Sequence, residues 1–367
     1  MRYVPSLCLR SGMILGKNIY GDNGQLLLNK GIILNDTYIE SINKLGFSGI
    51  YINDTLSEDI EIVNIVSDDL RQKTISSIKE LFNSIDNDSN DKFKKVEELK
   101  HEVEAILEQI LDNKNIMLNM VDLKFFDDYT YQHSVNVAIL SIIIGVSLNL
   151  GRDTLYKLGL SGLLHDIGKV FIDKKILNKR GKLSTEEFNE IKKHVSYGYD
   201  YLKKEFKFPE LTCLGAVDHH EKFDGTGYPS GKIGTEISLF GRIIAIADVY
   251  DALTSERPYR TAMLPNEAIE YLMGGTGSHF DSDLISVFVK KVAPYPLGTC
   301  VKLSNGFKGI VIQNFEDTCL RPKIRVFEID SIEVEPFEIN LRSDTQYLNI
   351  TIKEIEKQKY ILHYNLF

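Results

Sequence analysis

The sequence predicts a mainly α-helical protein, and three patterns along its 367 residues support this class. Apolar residues recur at three- and four-residue steps from about 68 to 115, a spacing that indicates helices. A longer region, about 120–292, is again mostly helical and contains the most apolar run of the chain. Short β-like runs occupy both ends. We therefore expect a helical central domain flanked by a small N-terminal α/β module with a helical linker and by a small C-terminal β-rich module.

The domain boundaries follow the changes in these patterns. The N-terminal module is assigned to 1–64 and the helical linker to 65–119. The central domain is assigned to 120–293, because two prolines then interrupt the helical pattern, and the C-terminal module to 294–367.

Composition excludes several classes of protein. With 43% hydrophobic and 26% charged residues the chain is typical of globular proteins, and its net charge of −9 argues against binding of long nucleic acids. The four cysteines are scattered, which indicates a reducing compartment. The apolar run 135–150 is interrupted by polar residues and is shorter than the roughly 20 residues of a membrane span. We expect a cytoplasmic protein without a membrane span.

The flanking segments allow alternative roles. The N-terminal module, with a helix expected near 36–45, could serve packing or dimer contact, or it could sense a small ligand. The second linker helix has an apolar seam that either packs on the chain's own domain or forms a homodimer. The seam consists of Val96, Leu99, Val103, Ile106 and Ile110.

In the C-terminal module, Asn305-Gly306 predicts a turn between two strands, and a helix is expected near 352–360.

The doublet His165-Asp166 is the first indication of a metal site. It ends a predicted helix whose leucines should be packed, and Gly168 follows as a helix breaker. An ionised aspartate at such a position is costly to bury unless it is paired or bound to a metal. The cost of burial therefore favours a functional role for Asp166.

His194 lies on a helix that begins with a capping box, Ser184 followed by Glu187. It is three residues from Ile191 on the apolar face, so its imidazole should lie near the core. A histidine in a core needs a partner, and a metal ion is one.

Three further stretches contribute candidate ligands. His133 stands at the entry of the apolar helix, where a satisfied core histidine is the alternative interpretation. His219 and His220 precede a glycine-rich loop, which gives the backbone the freedom to aim both rings at one ion. Asp248 follows a buried apolar run, 243–247, and an acid there needs a cation.

Five histidines and two aspartates form a donor set for iron, manganese or zinc. An aspartate that bridges two such ions could hold a shared water, which would become a hydroxide nucleophile for a phosphorus centre. Lys169, close to the doublet, could then neutralise a phosphate oxygen, although a lone lysine is usually a solvated surface residue. His101, His279 and His363 lie outside this pattern and are assigned structural or solvated roles.

Three motifs in fixed order resemble one known family. HDIGK, HHEKFDGTGYP and IADVYDALTSERPYR, within residues 127–288, closely resemble the HD-GYP family of cyclic di-GMP phosphodiesterases, part of the HD superfamily of metal-dependent phosphohydrolases. The resemblance implies a helical domain with two divalent metal ions. Iron is the expected metal, and manganese and zinc are the alternatives. Its substrate would be cyclic di-GMP, opened to pGpG and then GMP, and diguanylate cyclase domains would be partners.

The resemblance also implies roles for individual residues. Asp166 would bridge the two metals and act with Lys169 in catalysis. One metal would be held by His133, His165, Asp166 and Asp248, and the other by Asp166, His194, His219 and His220. The substrate contacts would be Lys169, Tyr228, Asp251, Arg257 and Arg260.

One position departs from the family pattern. Tyr129 stands where some members have a glutamate that helps to hold a third metal, so we expect two metals, with Asp127 and Asp128 nearby as weak ligands for another ion. Two other functions stay open at this point. The chain could hydrolyse a different nucleotide, such as another cyclic dinucleotide or an alarmone, or it could serve as a cyclic di-GMP receptor or scaffold.

Overall fold

The computed structural model describes residues 1–21, 25–47, 49–114, 117–118, 129–179, 181–255 and 262–355. It confirms the predicted class, with a helical centre and small sheets near both ends. The chain divides into two compact units. One contains the N-terminal and C-terminal segments, and the other contains residues 65–116 and 129–291.

The N-terminal segment of the first unit is a small α/β fold. Its strand β5 lies between β1 and β2 in an antiparallel sheet, and β3 pairs with β4. The predicted helix near 36–45 is confirmed as α1, whose first turn is capped by the Asn35 side chain accepting a hydrogen bond from the Tyr38 amide. The elements are β1 (Arg2–Pro5), β2 (Ile14–Leu15), β3 (Ile19–Tyr20), β4 (Leu26–Leu28), α1 (Asp36–Lys44) and β5 (Gly49–Asn53).

The C-terminal segment forms a five-stranded antiparallel sheet with the order β10-β6-β7-β8-β9. The predicted turn at Asn305-Gly306 is confirmed, and Gly306 has a φ of +86°, a conformation that glycine adopts at little cost. The strands are β6 (Cys300–Leu303), β7 (Phe307–Gln313), β8 (Lys323–Ile329), β9 (Ile332–Asn340) and β10 (Ile352–Ile355).

The helix predicted near 352–360 is wrong at its start. Residues Ile352–Ile355 form β10, whose Ile352 pairs with Leu303 of β6. Without β10, strand β6 would present an unpaired edge, and satisfying that edge outweighs a weak local helical preference. Residues 356–360 lie outside the described part of the chain.

The two end segments, which the sequence suggests as separate modules, share one core. Tyr51 and Ile62 pack in the same apolar cluster as Ile310 and Phe327. Arg325 of β8 also donates to both carboxylate oxygens of Asp59, at 2.6 and 2.7 Å. The first unit is therefore built from both ends of the chain.

The second unit is a bundle of helices around the apolar helix α4, which packs on α2, α5, α10 and α12. Among its described residues, as in the rest of the described chain, no helix has the length and apolar character needed to cross a membrane. The helices are α2 (Asp68–Asp86), α3 (Lys92–Asp112), α4 (Tyr129–Ser147), α5 (Arg152–Leu163), α6 (Lys174–Leu177), α7 (Thr185–Lys192), α8 (His194–Lys204), α9 (Glu210–Asp218), α10 (Leu239–Thr254), α11 (Pro265–Gly274) and α12 (Ser282–Lys291).

The apolar seam of the linker is buried inside this unit. Helix α3 packs on α2, α4 and α5, which confirms the first of the two interpretations. The seam offers no apolar face to a second copy, because each of its side chains is at most 4% exposed: Val96, Leu99, Val103, Ile106 and Ile110.

A close backbone approach fixes the segment that follows α5. The short 3-10 helix Ile167–Phe171 lies against α8, and a Cβ atom built on Gly168 would be 1.9 Å from the His194 carbonyl oxygen and 2.5 Å from the Gly198 amide nitrogen. Both are backbone atoms, which cannot rotate away. Only glycine permits this approach, which holds the segment after Asp166 beside the first residue of α8.

We expect Gly168→Ala to lower the free energy of unfolding by about 2 kcal/mol or more, because the added methyl overpacks against backbone. The matched control is Gly274→Ala, at the end of α11, where an added Cβ meets nothing within 4 Å. Urea unfolding of both variants measures the difference. Equal midpoints for the two variants would contradict the required approach.

Candidate metal centre

The structure brings together all seven ligands predicted from the sequence. They come from α4, from the turn after α5, from the start of α8, from the end of α9 and from α10. Their donor atoms form two groups, each within 4.8 Å: His133, His165 and Asp166 in one, and His194, His219 and His220 in the other. Asp248 joins the first group through His133, whose Nε2 lies 3.1 Å from Asp248 Oδ1.

Asp166 lies between the two groups and is 2% exposed. Its Oδ2 is 3.3 Å from His165 Nε2, and its Oδ1 is 3.4 Å from His194 Nε2 and 3.9 Å from His219 Nε2. The two carboxylate oxygens thus face different imidazole groups. This is the arrangement that a carboxylate bridging two metal ions requires.

Several of these buried donor atoms have no hydrogen-bond partner among the described residues. They are the Nε2 atoms of His165, His194 and His219 and the Oδ1 atom of Asp166. Buried polar atoms without a partner are rare because each costs about 1–3 kcal/mol. Imidazole nitrogens and carboxylate oxygens that converge in this way fit divalent metal ions.

Helix ends orient three of the rings. The Nδ1 atoms of His165, His194 and His219 lie 2.8, 2.7 and 2.9 Å from the carbonyl oxygens of Gly162, Ile191 and Ala216. Each carbonyl lies in the last turn of a helix, where oxygens lose the amide that would continue the helix. A ring that donates from Nδ1 keeps a lone pair on Nε2, the atom that faces the centre.

Two carboxylates hold His133. Its Nδ1 lies 2.7 Å from Asp251 Oδ2 and its Nε2 lies 3.1 Å from Asp248 Oδ1. Burial by itself would lower the pKa of His133, but the hydrogen bonds to Asp248 and Asp251 raise this pKa to about 9. Burial acts in the opposite sense on Asp248, yet His133 holds the pKa of that carboxyl well below its usual range.

Asp251, which the family resemblance places among the substrate contacts, has a different position in the structure. It is 1% exposed, and its oxygens accept hydrogen bonds from the His133 ring and from the Asn136 amide. It orients a ligand from inside the protein. Asn136 was missed by sequence reasoning, although a buried polar residue one turn after His133 in an apolar helix was a usable signal.

The remaining groups differ in charge state. Burial lowers the pKa of His194 and of His219, and it lowers that of His220 to about 3. Burial alone would raise the pKa of Asp166, but Lys169 and His165 hold it well below its usual range. Near pH 7, His194, His219 and His220 are thus neutral beside ionised carboxylates, which are the forms that bind metal ions, whereas His133 carries a proton that metal binding would displace.

Lys169 pairs with Asp166 Oδ2, and its side chain is 33% exposed. It lies on the 3-10 helix that Gly168 holds beside α8. The lysine therefore reaches from the buried bridge toward solvent, in a position from which it can meet an anionic substrate.

Tyr228 lies beside the second group of histidines. Its ring is 4.8 Å from the His220 ring at an angle of 30°, and its amide donates to the His220 carbonyl at 3.1 Å. Glu221, 2% exposed, supports the same loop by accepting from the amides of Ser230 and Lys232 at 2.7 and 3.2 Å. Sequence reasoning missed Glu221, whose place directly after the His219-His220 pair was the only signal.

Other predicted positions lie outside the described part of the chain. These are the substrate contacts Arg257 and Arg260, the acids Asp127 and Asp128, and the side chain of Tyr129.

Comparison with known proteins gives a family model and several relatives. The model, described as an HD domain, matches residues 106–284. The cyclic di-GMP phosphodiesterase PA4108 of Pseudomonas aeruginosa is 40% identical over 225 residues, which are 61% of this chain and 54% of that protein. The 3'3'-cGAMP-specific phosphodiesterase 1 of Vibrio cholerae is 38% identical over 190 residues, 52% of this chain and 43% of that protein. The chain thus spans about half the length of these relatives.

One solved structure aligns with most of the chain. Bd1817, described as a HDG"Y"P protein from Bdellovibrio bacteriovorus, aligns over 78% of this chain and 97% of its own, with 20% identity and a TM-score of 0.49.

We expect Mn²⁺ to stabilise the metal-free protein through the seven ligands. At a free ion concentration about 100 times the dissociation constant, one site adds about 2.7 kcal/mol to the free energy of unfolding. Asp166→Asn should lose most of this gain, because both groups of ligands share that carboxylate. The control His101→Ala, on the exposed side of α3, should keep it. Thermal unfolding with Mn²⁺ and then with excess chelator measures the effect, and an equal gain in Asp166→Asn would refute the bridge.

The stability of the metal-free protein should be highest near pH 7. Below about pH 6.5 the unfolded histidines bind protons that the folded His194, His219 and His220 do not bind, so each can remove about 1.4 kcal/mol per pH unit. The stabilisation of His133, fully present below 6.5, is lost as pH rises toward its folded pKa of about 9. Urea midpoints at pH 5, 7 and 9 measure the loss of stability on the acid side and on the alkaline side. His219→Gln should flatten the acid side, and a midpoint at pH 5 equal to that at pH 7 would contradict the neutral imidazoles.

Proposed function

We propose that this chain, whose residues 106–284 match the model of an HD domain, is a metal-dependent phosphodiesterase of the HD-GYP type that hydrolyses cyclic di-GMP to pGpG and on to GMP. The observation that carries the proposal is the position of Asp166, with one oxygen toward each group of histidines. Two-metal centres of this kind hydrolyse phosphate esters. The relative from Pseudomonas aeruginosa, 40% identical in this region, is named for the same substrate.

The metal ions would be held as the family resemblance implies. One ion would be bound by His133, His165, Asp166 and Asp248, and the other by Asp166, His194, His219 and His220. Bound divalent ions would supply Lewis acidity and an activated water for attack on the phosphodiester. A donor set of imidazoles and carboxylates suits iron, manganese or zinc.

The protein's own residues would bind and orient the substrate. Lys169, released from Asp166 when metal ions neutralise that carboxylate, would meet a phosphate oxygen. Tyr228, held on His220 by its backbone and by the loop that Glu221 supports, offers a ring for stacking of a guanine base. Arg257 and Arg260 would clamp phosphates through paired hydrogen bonds.

A second substrate, 3'3'-cGAMP, is favoured by a specific observation. The relative from Vibrio cholerae that is 38% identical over 190 residues is named for that nucleotide. Both nucleotides present two bridging phosphates to the same metal centre, so the choice between them depends on contacts with the bases.

We expect the metal-loaded protein to convert cyclic di-GMP to pGpG and GMP, separated by anion-exchange chromatography. Asp166→Ala should lower turnover by about 1,000-fold or more, because the two proposed metal ions lose the carboxylate that they share. His101→Ala is the matched control and should retain full activity.

The same assay with 3'3'-cGAMP and cyclic di-AMP distinguishes the substrates. If 3'3'-cGAMP is turned over faster than cyclic di-GMP, then 3'3'-cGAMP is the preferred substrate. No linear product from any of the three, with metal occupancy verified, would contradict phosphodiesterase activity.

A further inference from the structure

A chain of hydrogen bonds links helix α2 to a ligand of the metal centre. Arg71 Nη2 donates to Asn136 Oδ1 at 2.8 Å, and Asn136 Nδ2 donates to Asp251 Oδ1 at 2.7 Å. The other oxygen of Asp251 lies 2.7 Å from His133 Nδ1. The inner three residues are at most 4% exposed, so water does not compete for these bonds.

The chemistry of the end groups sets the direction of this chain. A guanidinium only donates hydrogen bonds and a carboxylate only accepts them. The Asn136 amide between Arg71 and Asp251 satisfies both only with its oxygen toward Arg71 and its nitrogen toward Asp251. The reversed amide would place two acceptors together at Asp251 and two donors together at Arg71.

His133 stands at the end of the same chain. Asp251 accepts from its Nδ1, so the proton that the ring keeps when it binds a metal belongs on that nitrogen, and Nε2 then offers its lone pair. Nε2 is the atom that faces Asp248 in the first ligand group. The hydrogen bonds therefore determine both the tilt and the tautomer that metal binding requires.

We propose that Arg71 is a positioning residue for the metal centre, acting on His133 through Asn136 and Asp251. This inference rests on the proposed function only through its metal centre. Arg71 lies outside the residues 106–284 that match the HD-domain family model. A helix of the preceding linker thus contributes directly to the order of the catalytic site, and a displacement of α2 changes metal affinity.

Helix α2 has other contacts with the same unit, and these supply a control. Phe82 packs edge-on against Tyr131 of α4, with ring centres 5.6 Å apart. Asp86 pairs with Lys174 at 2.6 Å on the surface. Asp86→Asn therefore loosens α2 without touching the hydrogen bonds that lead to His133.

The test is calorimetric titration of the metal-free full chain with Mn²⁺. The wild type should bind two ions, and Arg71→Ala should weaken one of them about tenfold, as loss of a residue that supports a ligand does. Arg71→Lys keeps a cationic donor and should recover most of the affinity, whereas Asp86→Asn should match the wild type. Equal affinities in Arg71→Ala and the wild type would overturn the proposal.

A double-mutant cycle separates the hydrogen-bonded route from general loosening of the fold. In an Asp251→Asn background, Arg71→Ala should cost less than about twofold, because residues in one network are not additive. A full tenfold loss in that background would contradict action through Asp251.

Kinetics with cyclic di-GMP adds a second readout. In Arg71→Ala, kcat should fall at limiting Mn²⁺ and recover at saturating Mn²⁺, with KM unchanged, because the arginine acts on the metal site alone. A raised KM would instead place Arg71 in substrate binding and overturn the proposal. A wild type that binds no Mn²⁺ would refute the proposed metal centre itself, which is a different result from equal binding by both proteins.

Discussion

The buried carboxylate of Asp166 is the constraint on which the rest of the second unit depends. It is 2% exposed, and its surroundings hold its pKa low, so it is an anion in the interior. An isolated buried charge costs several kcal/mol, and the neighbours of Asp166 are best understood as the means of compensating it. Lys169 supplies one positive charge, while the neutral rings of His194 and His219 offer lone pairs rather than charge. Cations bound among these groups would complete the compensation, and the requirement of the fold would then coincide with that of the proposed chemistry.

The ligand rings owe their orientation to an ordinary property of helices. The last turn of a helix leaves carbonyl oxygens without amide partners, and His165, His194 and His219 each donate to such an oxygen. The bundle therefore places helix ends around one point, and the unsatisfied backbone at each end holds a ring. His133 is the exception, because it lies within α4, where the backbone oxygens are already used. Its ring is held by side chains instead, and this is why the linker helix α2 can reach it.

The first unit combines the N-terminal and C-terminal segments of the chain. Its core joins both ends of the chain, as Tyr51 and Phe327 pack in one cluster. The roles considered for the N-terminal segment, packing or dimer contact on one hand and ligand sensing on the other, therefore apply to a unit that includes the C-terminal sheet. The linker, in contrast, belongs to the second unit, since α3 buries its apolar seam against α4 and α5.

The sequence by itself determined the fold class and the helices at 36–45 and 68–115, and it singled out the seven candidate ligands that the structure brings together, because periodicity, caps and costly buried polar residues are local signals. It misplaced 352–355, where pairing with the β6 edge decides the structure. It overlooked Glu221 and Asn136, and the family resemblance that names Asp251 as a substrate contact gave no sign of its bonds to His133 and Asn136. These roles depend on which groups meet in space: Asn136 and Asp251 are 115 residues apart, and Glu221 accepts from amides 9 and 11 residues further along the chain. Only the tertiary structure decides such meetings, because a hydrogen bond requires its two atoms to be about 3 Å apart and sequence spacing does not encode that distance.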